Sequence, residues 1–222
     1  RPVDRRWAAR FFGNAECNAA LQLYVTTGEE RFRDRFDKLI WTQLDSALVW
    51  NISKAVRAVP YMSGEYKSKL EQYVLRYKSG MEELARQNPY GVPVGTRGWA
   101  GNSELISWSI ANYYLNRSFP DIIGKEYVYK GLNYVFGCHP YSNISFVAGV
   151  GAHSKKRTYG GNRADFSFIA GGVVPGVLLL KPDFLENKED WPFLWGENEC
   201  VIDICADYIF LARAQNALLN GK

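Results

Sequence analysis

The run Ser63-Gly64-Glu65-Tyr66-Lys67-Ser68-Lys69-Leu70-Glu71-Gln72-Tyr73-Val74-Leu75-Arg76-Tyr77-Lys78-Ser79-Gly80-Met81 decides the fold class. Tyr66, Leu70, Tyr73, Val74, Tyr77 and Met81 recur at helical spacing, so the stretch to Arg86 reads as one long amphipathic helix, with Gly80 as a weak point. Working outward, the same period recurs on both sides. Asn14 is placed to cap a helix through about Thr27, with Ala15, Ala19 and Leu23 inward and Gly28 as the stop. A second helix is expected from Glu29 to about Trp41, on Phe32, Phe36, Leu39 and Ile40, and a third from Leu44 to Val59, halted by Pro60. Downstream, Asn88-Pro89-Tyr90-Gly91-Val92-Pro93 breaks the pattern. Asn102 or Ser103 then caps a helix to about Leu115, another covers Asp121 to Phe136, and a last one runs from Glu199 to about Leu219. About seven helices with short turns and no βα alternation predict an all-α fold built from antiparallel helix pairs. The stretch 137–198 is the exception: rich in Gly, Asn, Pro and aromatics, it reads as a long irregular loop region, and such loops usually carry function.

Composition narrows the function classes. The 222 residues fit one domain or part of a larger helical toroid, and 47% hydrophobic content excludes disorder. The net charge of +4 is scattered, with Arg5-Arg6 and Lys155-Lys156-Arg157 as the only basic clusters, so no nucleic-acid partner is expected. No apolar run reaches membrane-spanning length; the longest, from Ile169 to Leu180, is broken by glycines and Pro175. Cys17, Cys138, Cys200 and Cys205 lack metal-ligand spacing, and His139 and His153 add little, so neither a metal nor a cofactor is expected. Cys200 and Cys205, five apart on one expected helix, would point about 140° apart and could not bridge. The glycines between 149 and 172 form no phosphate loop.

The candidate chemistry gathers near the C-terminus, in Asp190-Trp191-Pro192-Phe193-Leu194-Trp195-Gly196-Glu197-Asn198-Glu199. An acid among tryptophans at a loop-to-helix junction is placed to serve as a proton donor. Local sequence leaves Glu199 open to a second reading, as a first-turn helix acid stabilised by the helix dipole. Asp203, four residues on, would share its helix face and support it, whereas Glu197 should face elsewhere. Trp99, Tyr159, Trp191 and Trp195 lie in loops, where core packing demands rings less, and are candidate sugar-stacking platforms. Arg163 can fork onto the oxygens of a ligand or pair with Asp165.

Four blocks, in order between about Gly98 and Ala214, resemble the C-terminal part of glycoside hydrolase family 9, which includes many endoglucanases. They are Gly98-Trp99-Ala100-Gly101-Asn102-Ser103; Leu132-Asn133-Tyr134-Val135-Phe136-Gly137-Cys138-His139-Pro140; Ser145-Phe146-Val147-Ala148-Gly149-Val150-Gly151; and Asp190, Trp195, Asn198, Glu199, Asp203 and Ala206 at the family's spacing. The resemblance implies an (α/α)6 barrel and inverting hydrolysis of β-glycosidic bonds in an oligo- or polysaccharide, with Glu199 as general acid beside Asn198. It implies that the base, an Asp, belongs to the N-terminal half of the barrel. A barrel of six helical hairpins needs about twice the helices present here. The chain also begins at Arg1 rather than Met, so residues 1–222 are expected to be the C-terminal part of one catalytic domain, inactive without its other half. A secreted, periplasmic or cell-surface location follows from the same resemblance.

This chain also departs from the family. Where the family has a His-x-Arg segment contacting sugar, Thr158-Tyr159-Gly160-Gly161-Asn162-Arg163 stands; Arg163 keeps the arginine, with Asn162 beside it, and the histidine is replaced. Cys205 occupies the place of an Asn, Val201 that of a small residue and Lys188 that of an aromatic. These changes point to a divergent branch acting on a glucan-type or amino-sugar substrate. Two other classes stand beside the hydrolase. A non-catalytic carbohydrate-binding helical module would keep the rings and Arg163 without needing Glu199. An α/α-toroid lyase or epimerase would use a base such as Tyr159.

Overall fold

A computed structural model describes residues 5–95, 101–138, 142–156, 158, 168–176, 178, 180–185 and 195–221. Seven longer helices and one single turn order themselves as α1 (Arg5–Thr27), α2 (Glu30–Ser46), α3 (Leu48–Ala58), α4 (Gly64–Ala85), α5 (Gly101–Ser118), α6 (Glu126–Val135), α7 (Trp195–Asn198) and α8 (Ile202–Leu219). A 3-10 turn, Val59–Tyr61, closes α3 at Pro60. The all-α expectation holds, and strand structure among the described residues amounts to β1 (Ile144–Ser145) and β2 (His153–Ser154), paired in parallel, an antiparallel bridge between Val147 and Val173, and a single bridge position at Glu199. No helix among them is long and apolar enough to cross a membrane.

Helix α4 forms as its periodicity dictates. Tyr66, Leu70, Val74, Tyr77 and Met81 are buried, and the Ser63 hydroxyl accepts from the Tyr66 N–H at 3.2 Å, satisfying one free donor of the first turn. Gly80 does not interrupt it. The expected break between the second and third helices lies later, at Ala47 (φ −157°, ψ 69°), because Gln43 and Leu44 continue the buried stripe of α2. The Asn51 amide, donating to the Gln43 and Ala47 carbonyls at 3.1 and 2.9 Å, ties the two helix ends together. Helix α6 starts at Glu126, later than expected, because residues 119–123 turn back under α5, with the Asn116 amide donating to the Ile123 carbonyl at 2.7 Å.

The layers follow from which helices pack side by side. Helices α3, α5 and α8 form one row, with α5 central; α2 and α4 pack on α3, and α6 packs on α5 and α8. Helix α5 joins two apolar cores. Trp108, Ala111 and Leu115 face the core built by α1–α4, while Leu105 and Ile106 face that of α6, α8 and the chain after α6. A helix buried on so many sides must satisfy its polar side chains internally. Asn102, Asn112 and Asn116 donate to the carbonyls of Val174, Tyr127 and Ile123, while the buried Asn112 Oδ1 accepts no hydrogen bond among the described residues. Gly131 of α6 permits the close approach to α5, since a Cβ there would lie 1.9 Å from the Ser109 hydroxyl and 3.3 Å from the Leu105 carbonyl.

Candidate functional site

The chain after α6 is irregular but anchored. The Phe146 N–H donates to Val135 at the end of α6 (2.8 Å), and the Val174 N–H donates to Phe146 (2.9 Å). The first N–H groups of α5, at Gly101 and Asn102, donate to the carbonyls of Gly176 and Pro175 at 2.6 and 2.7 Å. These carbonyls do what a side-chain cap would otherwise do. Asn102, expected as the cap, instead lies inside the helix and reaches Val174 with its side chain.

Against this layer sits the segment that carries Glu199. The final helix begins at Ile202, not at Glu199, and Val201 before it is extended (φ −121°, ψ 148°). Glu199 therefore occupies a non-helical link between the single turn α7 and α8, half-buried. This removes two expectations. The acid in the first turn of α8 is Asp203, so helix-dipole stabilisation of a first-turn acid belongs to Asp203. Asp203 also shares no helix face with Glu199; it is exposed, and its carboxylate accepts from the Ile204 N–H at 3.0 Å.

Immediately before Glu199, Asn198 and Glu197 are fully buried. Glu197 pairs with Lys155 at 3.0 Å, both side chains at 0% exposure, and the Lys155 ammonium lies 5.4 Å from the Phe146 ring centroid. The Lys155 N–H donates to Ser145 at 2.9 Å, so the ion pair fastens α7 to the β1–β2 layer. Charges this deep persist only when paired, and the geometry fixes the turn from which Glu199 emerges. Sequence reasoning missed both residues. Lys155 stood in the short basic cluster Lys155-Lys156-Arg157, and its partner lies 42 residues away.

A second set of carboxyls was also unread. A groove of about 280 Å³ runs across the α3–α5–α8 row, lined by Val49, Trp50, Glu104, Ser107 and Asp207 among others. Burial pushes the Glu104 carboxyl up, against the opposing influence of the Trp108 side chain and the Gly95 backbone. Burial, then the nearby Asp203 charge, pushes Asp207 up.

Of the expected sugar contacts, Trp99, Tyr159, Asn162, Arg163 and Trp191 lie outside the described residues, and Trp195 is described only as the backbone that opens α7. The structure brings Asn198 and Glu199 together and leaves Asp203 at the start of the next helix. Among the described residues no three His, Cys, Asp or Glu side chains gather as a metal site.

No protein-family model matches the chain, and no curated protein does. Solved structures do. A metagenome-derived glycoside hydrolase family 9 endoglucanase superposes with a TM-score of 0.66 at 21% identity, covering 89% of this chain and 39% of its own. AaCel9A in complex with cellobiose-like isofagomine gives 0.65 at 18% identity, covering 89% and 42%. The cellulase Cel9M of C. cellulolyticum gives 0.66 at 19% identity, covering 94% and 50%. The chain thus spans two fifths to a half of the length of the structures it matches. It has the fold of the glycoside hydrolase family 9 (α/α)6-barrel enzymes, matched over part of their length.

Proposed function

We propose that residues 1–222 are the C-terminal part of one catalytic (α/α)6 barrel that hydrolyses β-glycosidic bonds in a glucan-type or amino-sugar saccharide, with inversion at the anomeric carbon. Glu199 is the general acid that protonates the departing glycosidic oxygen. The base that activates water is an Asp in the other half of the barrel, about 6.5–9.5 Å across the cleft, as inversion requires. The observation that carries this reading is the placement of Glu199. It is a half-buried acid on a non-helical link, held from behind by a buried turn and the Lys155–Glu197 pair. A proton donor needs such fixed positioning with its own face left open to substrate.

Two further observations support it. The Asn198-Glu199-x(3)-Asp203 spacing resembles the family pattern, and the fold is shared with cellulases, one of them in complex with cellobiose. Large apolar side chains stand open on the row that would face the rest of a barrel: Trp50 of α3 at 72% exposure, Ile202 and Ile209 of α8 at 89% and 67%. Such a surface fits burial by more protein. Trp99, Tyr159, Asn162, Arg163, Trp191 and Trp195 supply stacking and hydrogen bonds to the sugar. A polysaccharide substrate places the enzyme outside the cytoplasm.

The test uses the reading frame containing this chain and both barrel halves, with soluble β-glucans and amino-sugar oligomers. Sugar release with an inverted anomer is expected, and Glu199→Gln should lower kcat by about 10²–10⁴-fold while oligosaccharide binding persists. Wild-type turnover by the variant would remove Glu199 from the mechanism. Binding without hydrolysis by the parent protein would instead identify a carbohydrate-binding module.

A further inference from the structure

Cys200 and Cys205 meet. Their sulfurs are 3.5 Å apart, both residues are half-buried, and both are free thiols. The late start of α8 makes this possible. Cys200 lies on the extended link ahead of Val201, not on the helix, so the chain folds back until its sulfur faces the first turn, where the Cys205 N–H donates to Val201 at 3.3 Å. The other side of the Cys200 sulfur is closed. The Val173 N–H donates to it, and a Cβ at Gly172 would lie 2.9 Å away. Elsewhere in the chain, Cys17 is buried among α1–α4 and Cys138 is exposed just beyond α6.

We propose that Cys200 and Cys205 are an oxidisable dithiol, converted by a low-molecular-weight disulfide such as glutathione disulfide into an intramolecular bond that fastens the Glu199 segment to the first turn of α8. A disulfide needs the sulfurs at about 2.05 Å, so a closure of about 1.5 Å suffices. One protein thiolate attacks a sulfur of the small disulfide, forming a mixed disulfide and expelling one small thiolate. The second protein thiol loses its proton to solvent and attacks the protein-side sulfur, expelling the second small thiolate. The protein dithiol is oxidised by two electrons, the small disulfide is reduced to two thiols, and the two released protons return to them. Burial and the neighbouring sulfur hold the Cys200 thiol well up from its ordinary range. Exchange is therefore slow at neutral pH and quickens toward pH 9, because only the thiolate attacks. The bond spans the residue directly after Glu199, so it restricts the link on which the acid sits. The dithiol itself does not depend on the hydrolase reading.

The test is thiol counting on the reduced, intact protein. After incubation with glutathione disulfide, remaining thiols are alkylated under denaturing conditions and the protein is weighed whole and as peptides. Two of the four cysteines should escape alkylation, with an internal bond within the peptide spanning 200–205, a mass about 2 Da lower, and reversal by dithiothreitol. Cys138→Ser should leave this unchanged. Cys200→Ser and Cys205→Ser should each stop at a mixed disulfide on the remaining partner. Four alkylated thiols after prolonged oxidation at pH 9, a stable glutathione adduct on Cys200 or Cys205 in the parent protein, or a bond to Cys138 instead would each overturn the proposal. Because the readout is mass, its failure leaves the role of Glu199 untouched, and a failed hydrolysis assay leaves the dithiol untouched.

Discussion

Helices α1–α4 and the chain after α6 each bury an apolar core, but they differ in what else holds them. In the first region, order comes from apolar stripes at helical spacing: Phe36, Ile40, Ile52, Val56, Leu70, Val74 and Tyr77 all lie in one core. In the second, short irregular segments bury Phe146, Val147, Val173 and Val174 in a core of their own, and they also hold one another through backbone hydrogen bonds, a buried ion pair and a thiol pair. The first arrangement is redundant, because many side chains share the burial. The second adds to its apolar burial a few polar contacts between segments distant in sequence, where the loss of one partner is costly. Scaffold and site therefore should fail differently.

The largest effect is expected where that contrast is sharpest. Lys155→Met removes the buried cation that pairs with Glu197 and should cost about 3–5 kcal/mol in urea unfolding. Lys155→Met combined with Glu197→Leu should recover most of it; equal losses in the single and double variants would mean the pair does not bind α7 to β1–β2. In the helical region, Leu70→Ala should cost about 2–5 kcal/mol through a cavity. Neighbouring side chains can partly collapse into that cavity, which places the effect below the ion-pair loss, and an effect under about 1 kcal/mol would show that this core is loosely packed. At the seam between the regions, Gly131→Ala should cost about 1–3 kcal/mol by driving a methyl into Ser109. Gly131→Ala with Ser109→Gly should relieve it, and a harmless single substitution would show that α5 and α6 can spread apart.

The smallest effect concerns the groove. The Asp207 carboxyl is raised in the folded state by burial and by Asp203. Its charged form therefore opposes folding above the raised pKa, and that penalty disappears as pH falls through it. Asp207→Asn should raise Tm at pH 7 by at most about 2 °C, since solvent screens a half-exposed group. The gain should shrink toward pH 4. A gain that grows on acidification would reverse the sign and place Asp207 in a stabilising contact.

How far the sequence could be read tracks the same division. The stripe of α4 was legible because spacing is a local property. The ends of α2, α6 and α8 were not, because each is set by tertiary contacts: Asn51 on the end of α2, Asn116 on the turn before α6, and the packing of Cys200 against Gly172 before α8. The start of α8 mattered most. Placing it at Glu199 put Asp203 on the acid's helix face and drove the two sulfurs apart. The extended backbone at Val201 reverses both conclusions. Glu197 was assigned away from the site for a similar reason, since two-residue separation says nothing about a partner that arrives from a distant strand.

The sequence by itself determined the helical class, the long irregular stretch and the Asn198-Glu199 pair, because periodicity, breakers and short motifs are written in neighbouring residues. Only the tertiary structure decided that Glu199 stands on a link rather than a helix, that Lys155 and Glu197 share a dry interior, and that Cys200 meets Cys205. Those facts depend on which distant surfaces exclude water together, and burial of that kind is a property of the folded whole.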